Sequence, residues 1–255
     1  MHIKTTALSL FVTVIFTTTP ASAGNDSGSS SGWTGQYVGA ALGASYEMAD
    51  PELNEKRVSF FTGGDNTQTE PEGSKSLSEL AVNGGLLWGI NRQKGKLFYG
   101  IEVDITASSF SESRSTGKID WITSPGNTFE LTTKVSSDWA ASLRPRLGLI
   151  DGDRLYYGTI GPSLMKLNYD FNFSETAFNE SASISESKIV LGMTAGFGVT
   201  QKLQSGWSIR PEYLFSYYKN AINEDSRLVN FQQDGFSHDM NHMVHNFRIA
   251  LVKSF

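Results

Sequence analysis

Ile189-Val190-Leu191-Gly192-Met193-Thr194-Ala195-Gly196-Phe197-Gly198-Val199 alternates along its whole length. Ile189, Leu191, Met193, Ala195, Phe197 and Val199 share one parity; Gly192, Thr194, Gly196 and Gly198 share the other. Successive side chains of a β-strand point to opposite sides, so this spacing makes one apolar face and one face of small residues. A helix would scatter the same residues around its girth. For that reason Gly192 and Gly196 do not form a helical small-residue contact.

The same period recurs on both sides of this stretch. Val38, Ala40, Leu42, Ala44, Tyr46 and Met48 lie opposite Tyr37, Gly39, Ala41, Gly43 and Ser45. Further segments carry Leu80 to Ile90, Leu97 to Ile105, Trp139 to Leu149, Trp207 to Tyr217 and Phe247 to Phe255 on their apolar faces. Residues 155–169 are strand-like without a clear division of faces. Eight segments of 11 to 15 residues result, each longer than the ~9–11 residues that cross a bilayer as a tilted strand.

Two features favour a barrel in a membrane over a soluble one. The apolar faces end in Tyr46, Trp88, Tyr99, Trp139, Trp207, Tyr217 and Phe255, as interfacial girdles do. The opposite faces are small or charged, which suits a narrow polar lumen, whereas a lipocalin-like barrel turns its apolar face inward. The connections alternate as well. Residues 91–96, 151–153 and 201–206 read as short turns, and residues 50–75, 109–137, 172–186 and 219–242 as long polar loops. Short turns on one side and long loops on the other are the asymmetry of outer-membrane barrels. The expected fold is all-β: an eight-stranded antiparallel up-and-down transmembrane β-barrel spanning residues 33–255.

Ahead of it, residues 1–23 read as a secretory signal. His2 and Lys4 are followed by an apolar run from Ala7 to Phe16 and by Ala21-Ser22-Ala23, with cleavage expected after Ala23. Ten apolar residues are too few to cross ~30 Å of hydrocarbon as a helix. Residues 24–32 read as a flexible Gly/Ser leader. The composition agrees with a barrel. Hydrophobic residues are 39% of 255 and mean hydropathy is −0.25, which excludes a bundle of apolar membrane helices. Sixteen Phe, nine Tyr and five Trp exclude a disordered tail. The absence of Cys excludes thiolate metal sites and a disulfide scaffold. A net charge of −5 argues against nucleic acid as a partner.

Trp33-Thr34-Gly35-Gln36-Tyr37-Val38-Gly39-Ala40 resembles the opening of the alphaproteobacterial surface-antigen and opacity-type porins, which are similar to the eight-stranded OmpA transmembrane domain. Tyr99 to Asp104, Leu143 to Gly148, Gly206 to Tyr213 and the terminal F-R-I-A-L-V-K-S-F extend the resemblance over the mature chain. It implies a Gram-negative outer-membrane location among lipid and lipopolysaccharide. The expected protein is a monomer with a structural, surface-exposed role, whose acidic loops can meet host surface molecules; a narrow pore or a haem-binding receptor is the alternative. It also implies that Phe247, Ile249, Leu251 and Phe255 form the signal read by the outer-membrane assembly machinery. Lys253 interrupts that pattern at a level where a lysine can snorkel.

Candidate chemistry lies in two places. Glu102, Asp104, Arg144, Arg146, Arg210, Glu212 and Arg248 share inward parity at similar depth, and charges in a narrow lumen should pair. They read as a structural plug, with a gate of exchanging pairs as the alternative. No nucleophile–His pair accompanies them, so no catalytic role is expected. His238, His242 and His245 fall in H-D-M-N-H-M-V-H before the last strand. They read as polar residues of a solvated loop, with zinc, copper or haem ligation as the alternative; relatives described as haem binders belong to the resemblance. No cofactor is expected. A lipid A-modifying enzyme barrel would need a Ser–His pair with a carboxylate, and His245 alone does not supply one.

Overall fold

The computed structural model describes residues 32–255; the signal and leader readings for residues 1–23, with Ala21 and Ala23, and for most of 24–32 lie outside them. The strands are β1 (Gly35–Lys56), β2 (Leu77–Lys94), β3 (Leu97–Ser108), β4 (Ser111–Ser115), β5 (Ile119–Asp120), β6 (Thr128–Asp151), β7 (Arg154–Glu175), β8 (Ser181–Lys202), β9 (Trp207–Arg227) and β10 (Gly235–Ser254). Among the described residues one α-helix, α1 (Asn66–Gly73), sits in the β1–β2 connection, and a single 3-10 turn spans Gln204–Gly206 before β9. Among the described residues no helix is long and apolar enough to cross a membrane.

Eight strands close a ring in the order β1-β2-β3-β6-β7-β8-β9-β10, and β10 returns to β1 from Tyr37↔Ser254 to Lys56↔Gly235. β4 continues the path of β3 along β6, and β5 adds a two-residue pairing there. All pairings are antiparallel, so the expected eight-stranded up-and-down barrel is present. Around the apolar belt the ring is closed, which is what backbone in hydrocarbon requires; above Met193↔Tyr217 the ladder between β8 and β9 stops, with one bridge at Ala182↔Leu228.

The outer wall is apolar around its middle. Leu42 and Leu80 are each 76% exposed, and Leu86, Ile101, Leu147, Ile189, Phe247, Ile249 and Leu251 are exposed with them. Trp88, Tyr99, Trp207, Tyr217 and Phe255 are exposed on this belt, and Trp139 is half-buried. Lys253 turns its ammonium to the carbonyl of Ser205 at 2.6 Å and lies over the Trp207 ring, so the interruption in the terminal pattern is absorbed by the neighbouring turn.

Three expectations are corrected. The strands are longer than 11 to 15 residues: β1, β7 and β8 have 22 and β6 has 24. At ~3.3 Å per residue a strand of 22 runs about 70 Å, roughly twice what the hydrocarbon needs. Consequently residues 172–186 and 219–242 are mostly strand, and the connections there shrink to residues 176–180 and 228–234. The histidine segment therefore lies in β10, not in a loop.

The inner face, moreover, is not small and charged throughout. β7 shows why its faces resisted assignment. Tyr156, Ile160 and Leu164 point outward and Thr159, Gly161 and Ser163 inward; beyond them Lys166, Asn168, Asp170 and Asn172 point outward and Met165, Leu167, Tyr169, Phe171 and Phe173 inward. The geometric alternation never breaks; only the apolar parity changes. Below Lys166 the wall is apolar outside, and above it the strand is that of a water-exposed barrel with its own core. β8 repeats the change: Ser181, Ser183, Ser185 and Ser187 precede Ile189 on the outward face.

The upper interior is a continuous apolar core including Phe110, Phe129, Leu167, Phe171, Phe173, Ile222, Phe236 and Met240. Phe61 and Trp121 pack into it from the long connections. These connections are tied together. The Asp234 carboxylate accepts from the amides of Val58, Ser59 and Phe60 at 2.8–3.1 Å, joining the β1–β2 and β9–β10 connections. Glu180 accepts from the Asn230 amide nitrogen at 3.2 Å, and Gln68 of α1 bonds the backbone of Asp120 and Ile122. The long-connection end is thus a bonded cap.

Candidate functional site

All seven charged residues expected in the lumen come together in one layer. Glu102 of β3 is at its centre, fully buried. Its carboxylate accepts from Arg210 at 2.5 Å, Arg144 at 2.9 Å and the Tyr37 hydroxyl at 2.6 Å. Asp104 accepts from Arg248 at 2.8 Å and from the Ser142 hydroxyl. Glu212 accepts from Arg248 Nε at 2.7 Å and the Tyr157 hydroxyl at 2.7 Å. Arg146 donates to the Tyr37 hydroxyl at 2.8 Å and lies 3.9 Å from the Tyr157 ring centroid. Charges that would be costly alone are each matched and hydrogen-bonded here.

Parity is what puts them there. Glu102 and Asp104 alternate with Ile101 and Val103, and Arg144 and Arg146 with Leu143 and Leu147; the outward partners face the apolar belt. Antiparallel register then sets Glu102 opposite Arg144 and Arg248 opposite Glu212. Two glycines supply the room. A Cβ on Gly89 would overlap the Tyr37 hydroxyl, and one on Gly198 would lie 2.5 Å from that of Tyr157. Small residues on the inner face are therefore the space the two phenols occupy.

Those phenols were not anticipated as members of the layer. Trp33, Phe98, Ile150 and Leu155 form an apolar floor with Tyr157 on the short-turn side, also unanticipated. On the other side lies Glu47 of β1, which accepts from the hydroxyls of Ser45, Ser108 and Ser137 and pairs with His242 Nε2 at 3.1 Å. The signal for Glu47 was available: it continues the inward parity of Tyr37 to Ser45.

The three histidines do not form one site, and the solvated-loop reading is corrected as well. His238 and His242 point inward from β10 and are buried, whereas His245 points outward to the Tyr213 hydroxyl at 2.8 Å. His238 bonds Tyr169 at 2.9 Å and Ser226 at 2.8 Å, far above the charged layer, with Phe171 against its ring. Burial pushes its imidazole down to about 4. Two residues of equal parity four apart are separated by ~13 Å of strand rise. Among the described residues no group of three metal-capable side chains exists.

Comparison with known proteins places this barrel. The 31 kDa outer-membrane immunogenic proteins of Brucella melitensis and Brucella suis are each 30% identical to the chain over 202 residues, covering 77% of either sequence. The chain belongs to this outer-membrane immunogenic protein family. A 22 kDa outer membrane protein of Rhizobium leguminosarum is 25% identical over 161 residues, covering 63% of this chain and 64% of that one. Of solved structures, the outer membrane protease OmpT of Escherichia coli matches with 6% identity and a TM-score of 0.47, over 87% of this chain and 97% of that one. No family model matches the chain.

Membership fixes the surroundings. This outer-membrane immunogenic protein homologue is an integral protein of a Gram-negative outer membrane, and the resemblance read from Trp33 to Ala40 is borne out. Its apolar belt meets lipid, with lipopolysaccharide in the same membrane. The short turns lie at one end of the belt and the bonded cap at the other.

Proposed function

We propose that the protein is a closed, monomeric barrel whose work is done by its outer surface: a stable envelope component that presents a rigid cap to host molecules. The observation carrying this reading is the double obstruction of the lumen. The layer around Glu102 fills the section within the membrane, and the aromatic core around Phe171 and Phe236 fills the section above it. An eight-stranded barrel has an interior just wide enough for side chains. The name given to the Brucella relatives, immunogenic, supports exposure of the cap. The terminal face of Phe247, Ile249, Leu251 and Phe255 lies exposed, which supports its reading as the assembly signal.

Conductance in a planar bilayer tests the closed lumen. The refolded protein should give no single-channel steps; steps that vanish in Arg210→Ala would overturn the plug in favour of a gate. The reading includes no enzymatic role, and hydrolysis of lipid A or peptide by the purified barrel, lost in His242→Ala, would overturn that part.

A further inference from the structure

Three phenylalanines from three different connections meet at the tip of the cap. Phe60 of the β1–β2 connection lies 5.8 Å from Phe178 of the β7–β8 connection and 5.2 Å from Phe231 of the β9–β10 connection, centroid to centroid. Phe178 and Phe231 are 6.5 Å apart. Phe60 also meets the buried Phe61 edge-on at 5.0 Å, which roots the group in the upper core. Phe178 is nonetheless 69% exposed, and Val58 and Val229 of the same connections are 63% and 61% exposed. The outward residues Lys166, Asn168, Asp170 and Asn172 of β7 separate this tip from the apolar belt, so lipid does not cover it. Apolar surface left in water is unfavourable, and such patches mark contact sites.

The tip is held in shape by buried carboxylates. Glu175 accepts from the amides of Phe178 at 3.0 Å and Glu180 at 2.7 Å, and Asn179 between them turns the chain at a φ of 58°. Glu180 takes the amide and the side chain of Asn230, and Asp234 takes the amides of Val58 to Phe60. Little conformational freedom is left to lose on binding. The same bonds set the sign of the exposed charge. With Glu175, Glu180 and Asp234 buried, the exposed charged residues of 57–64, 175–180 and 227–234 are Arg57 and Arg227. Neither is ion-paired, because the neighbouring Asp225 takes Lys56 instead. The tip is therefore positive on a chain of net charge −5.

We propose that this tip is a docking surface for a protein partner that presents apolar side chains among carboxylates. The inference rests on the reading of the cap as the surface-exposed part of the molecule. Phe178 enters the partner, Phe60 and Phe231 support it, and Arg57 and Arg227 meet the acidic surround. Aromatic residues and arginine, with lysine and acids depleted, are the composition of interface centres. A second copy of the chain is disfavoured, since a two-fold contact would set the same arginines against each other. An anionic glycan would use the arginines and leave the rings idle.

The test titrates the refolded mature chain in detergent with a random copolymer of glutamate and tyrosine, using polyglutamate and heparin as probes of charge alone. The copolymer should bind more tightly than polyglutamate and weaken as salt is added. Phe178→Ser should weaken it about tenfold with heat-modifiable mobility retained. Arg57→Ser with Arg227→Ser should weaken it and flatten the salt dependence. Equal copolymer binding by the unmodified chain and Phe178→Ser overturns the proposal. So does heparin binding that needs the arginines and exceeds that of the copolymer, or a dimer that Phe178→Ser abolishes. If Phe178→Ser does not refold, the advantage of the copolymer over polyglutamate and its loss in the arginine variant decide. Phe178→Cys supplies a single thiol in a chain without cysteine. Its labelling on intact cells by a membrane-impermeant maleimide separates the two readings. Absence of labelling overturns the surface reading together with this inference, whereas labelling with unchanged copolymer binding in Phe178→Ser overturns this inference alone.

Discussion

The Tyr37 hydroxyl donates to Glu102 at 2.6 Å and accepts from Arg146 at 2.8 Å, so one phenol on the first strand bridges an acid on the third and a base on the fourth strand of the ring. Tyr37→Phe removes both bonds and leaves a buried carboxylate and a buried guanidinium each short of a partner. A cost of about 1–3 kcal/mol is expected. Urea unfolding in detergent measures it; an unchanged midpoint would mean that water replaces the hydroxyl without loss.

Arg210 and Glu102 should be coupled beyond their single effects. Removing one member of a buried pair costs ~3–5 kcal/mol because the other charge is left behind. Arg210→Met and Glu102→Gln should each destabilise strongly, and the double variant should cost less than the two singles together. Additive effects in a double-mutant cycle would show that Arg144 and Arg248 compensate fully.

Phe236→Ala should separate the cap from the membrane barrel. Phe236 is fully buried among Phe61, Phe171 and Phe173, above the apolar belt. Losing the ring costs ~3–5 kcal/mol in the upper core. The expected result is faster proteolysis within residues 57–76 with heat-modifiable gel mobility retained. Loss of that mobility would instead mean that the barrel folds only with its cap.

Glu55 gives the cap a dependence on pH. Burial, and behind it the charges of Asp65 and Glu70, push its carboxyl up to about 7 against a hydrogen bond from Thr69. The native state thus binds this proton more tightly than the unfolded chain, whose carboxyl titrates near 4.5. Stability from this group is full below about 4.5 and is lost as pH rises through about 7. Protease resistance of the β1–β2 connection should be greater at pH 5 than at pH 8, and the Glu55→Gln variant should flatten the part due to this carboxyl.

His238 acts in the opposite direction. Its folded value of about 4 lies below the ordinary 6.5, so the native state holds it neutral and the unfolded chain takes up the proton first. Its contribution is full above about 6.5 and is lost as pH falls towards 4. In a Glu55→Gln background the upper core should loosen on acidification, as read by hydrogen exchange at Phe171 and Phe236. His238→Gln should remove that loosening; if it persists, another group carries it.

Much of this was legible in the residues. The alternation in Ile189 to Val199 and its repeats gave the barrel, because strand side chains alternate whatever surrounds them. Inward parity gave the seven charges of the lumen layer for the same reason. The cap was not legible, and residues 155–169 show why. Apolar parity there changes from Tyr156–Ile160–Leu164 to Leu167–Tyr169–Phe171, and a change in solvent from lipid to water cannot be told from a break in the strand. The histidines were misread on the same ground: polar composition suggested a loop where the chain is paired strand.

By itself the sequence determined the strand period, the closed antiparallel ring, the belt and the side of the wall on which each charge stands, because these follow from local geometry repeated along the chain. Only the tertiary structure decided the partners. Tyr37 meets Glu102 across 65 positions and Glu47 meets His242 across 195. Such meetings depend on register between distant strands and on the space left at Gly89 and Gly198, and no local spacing encodes them.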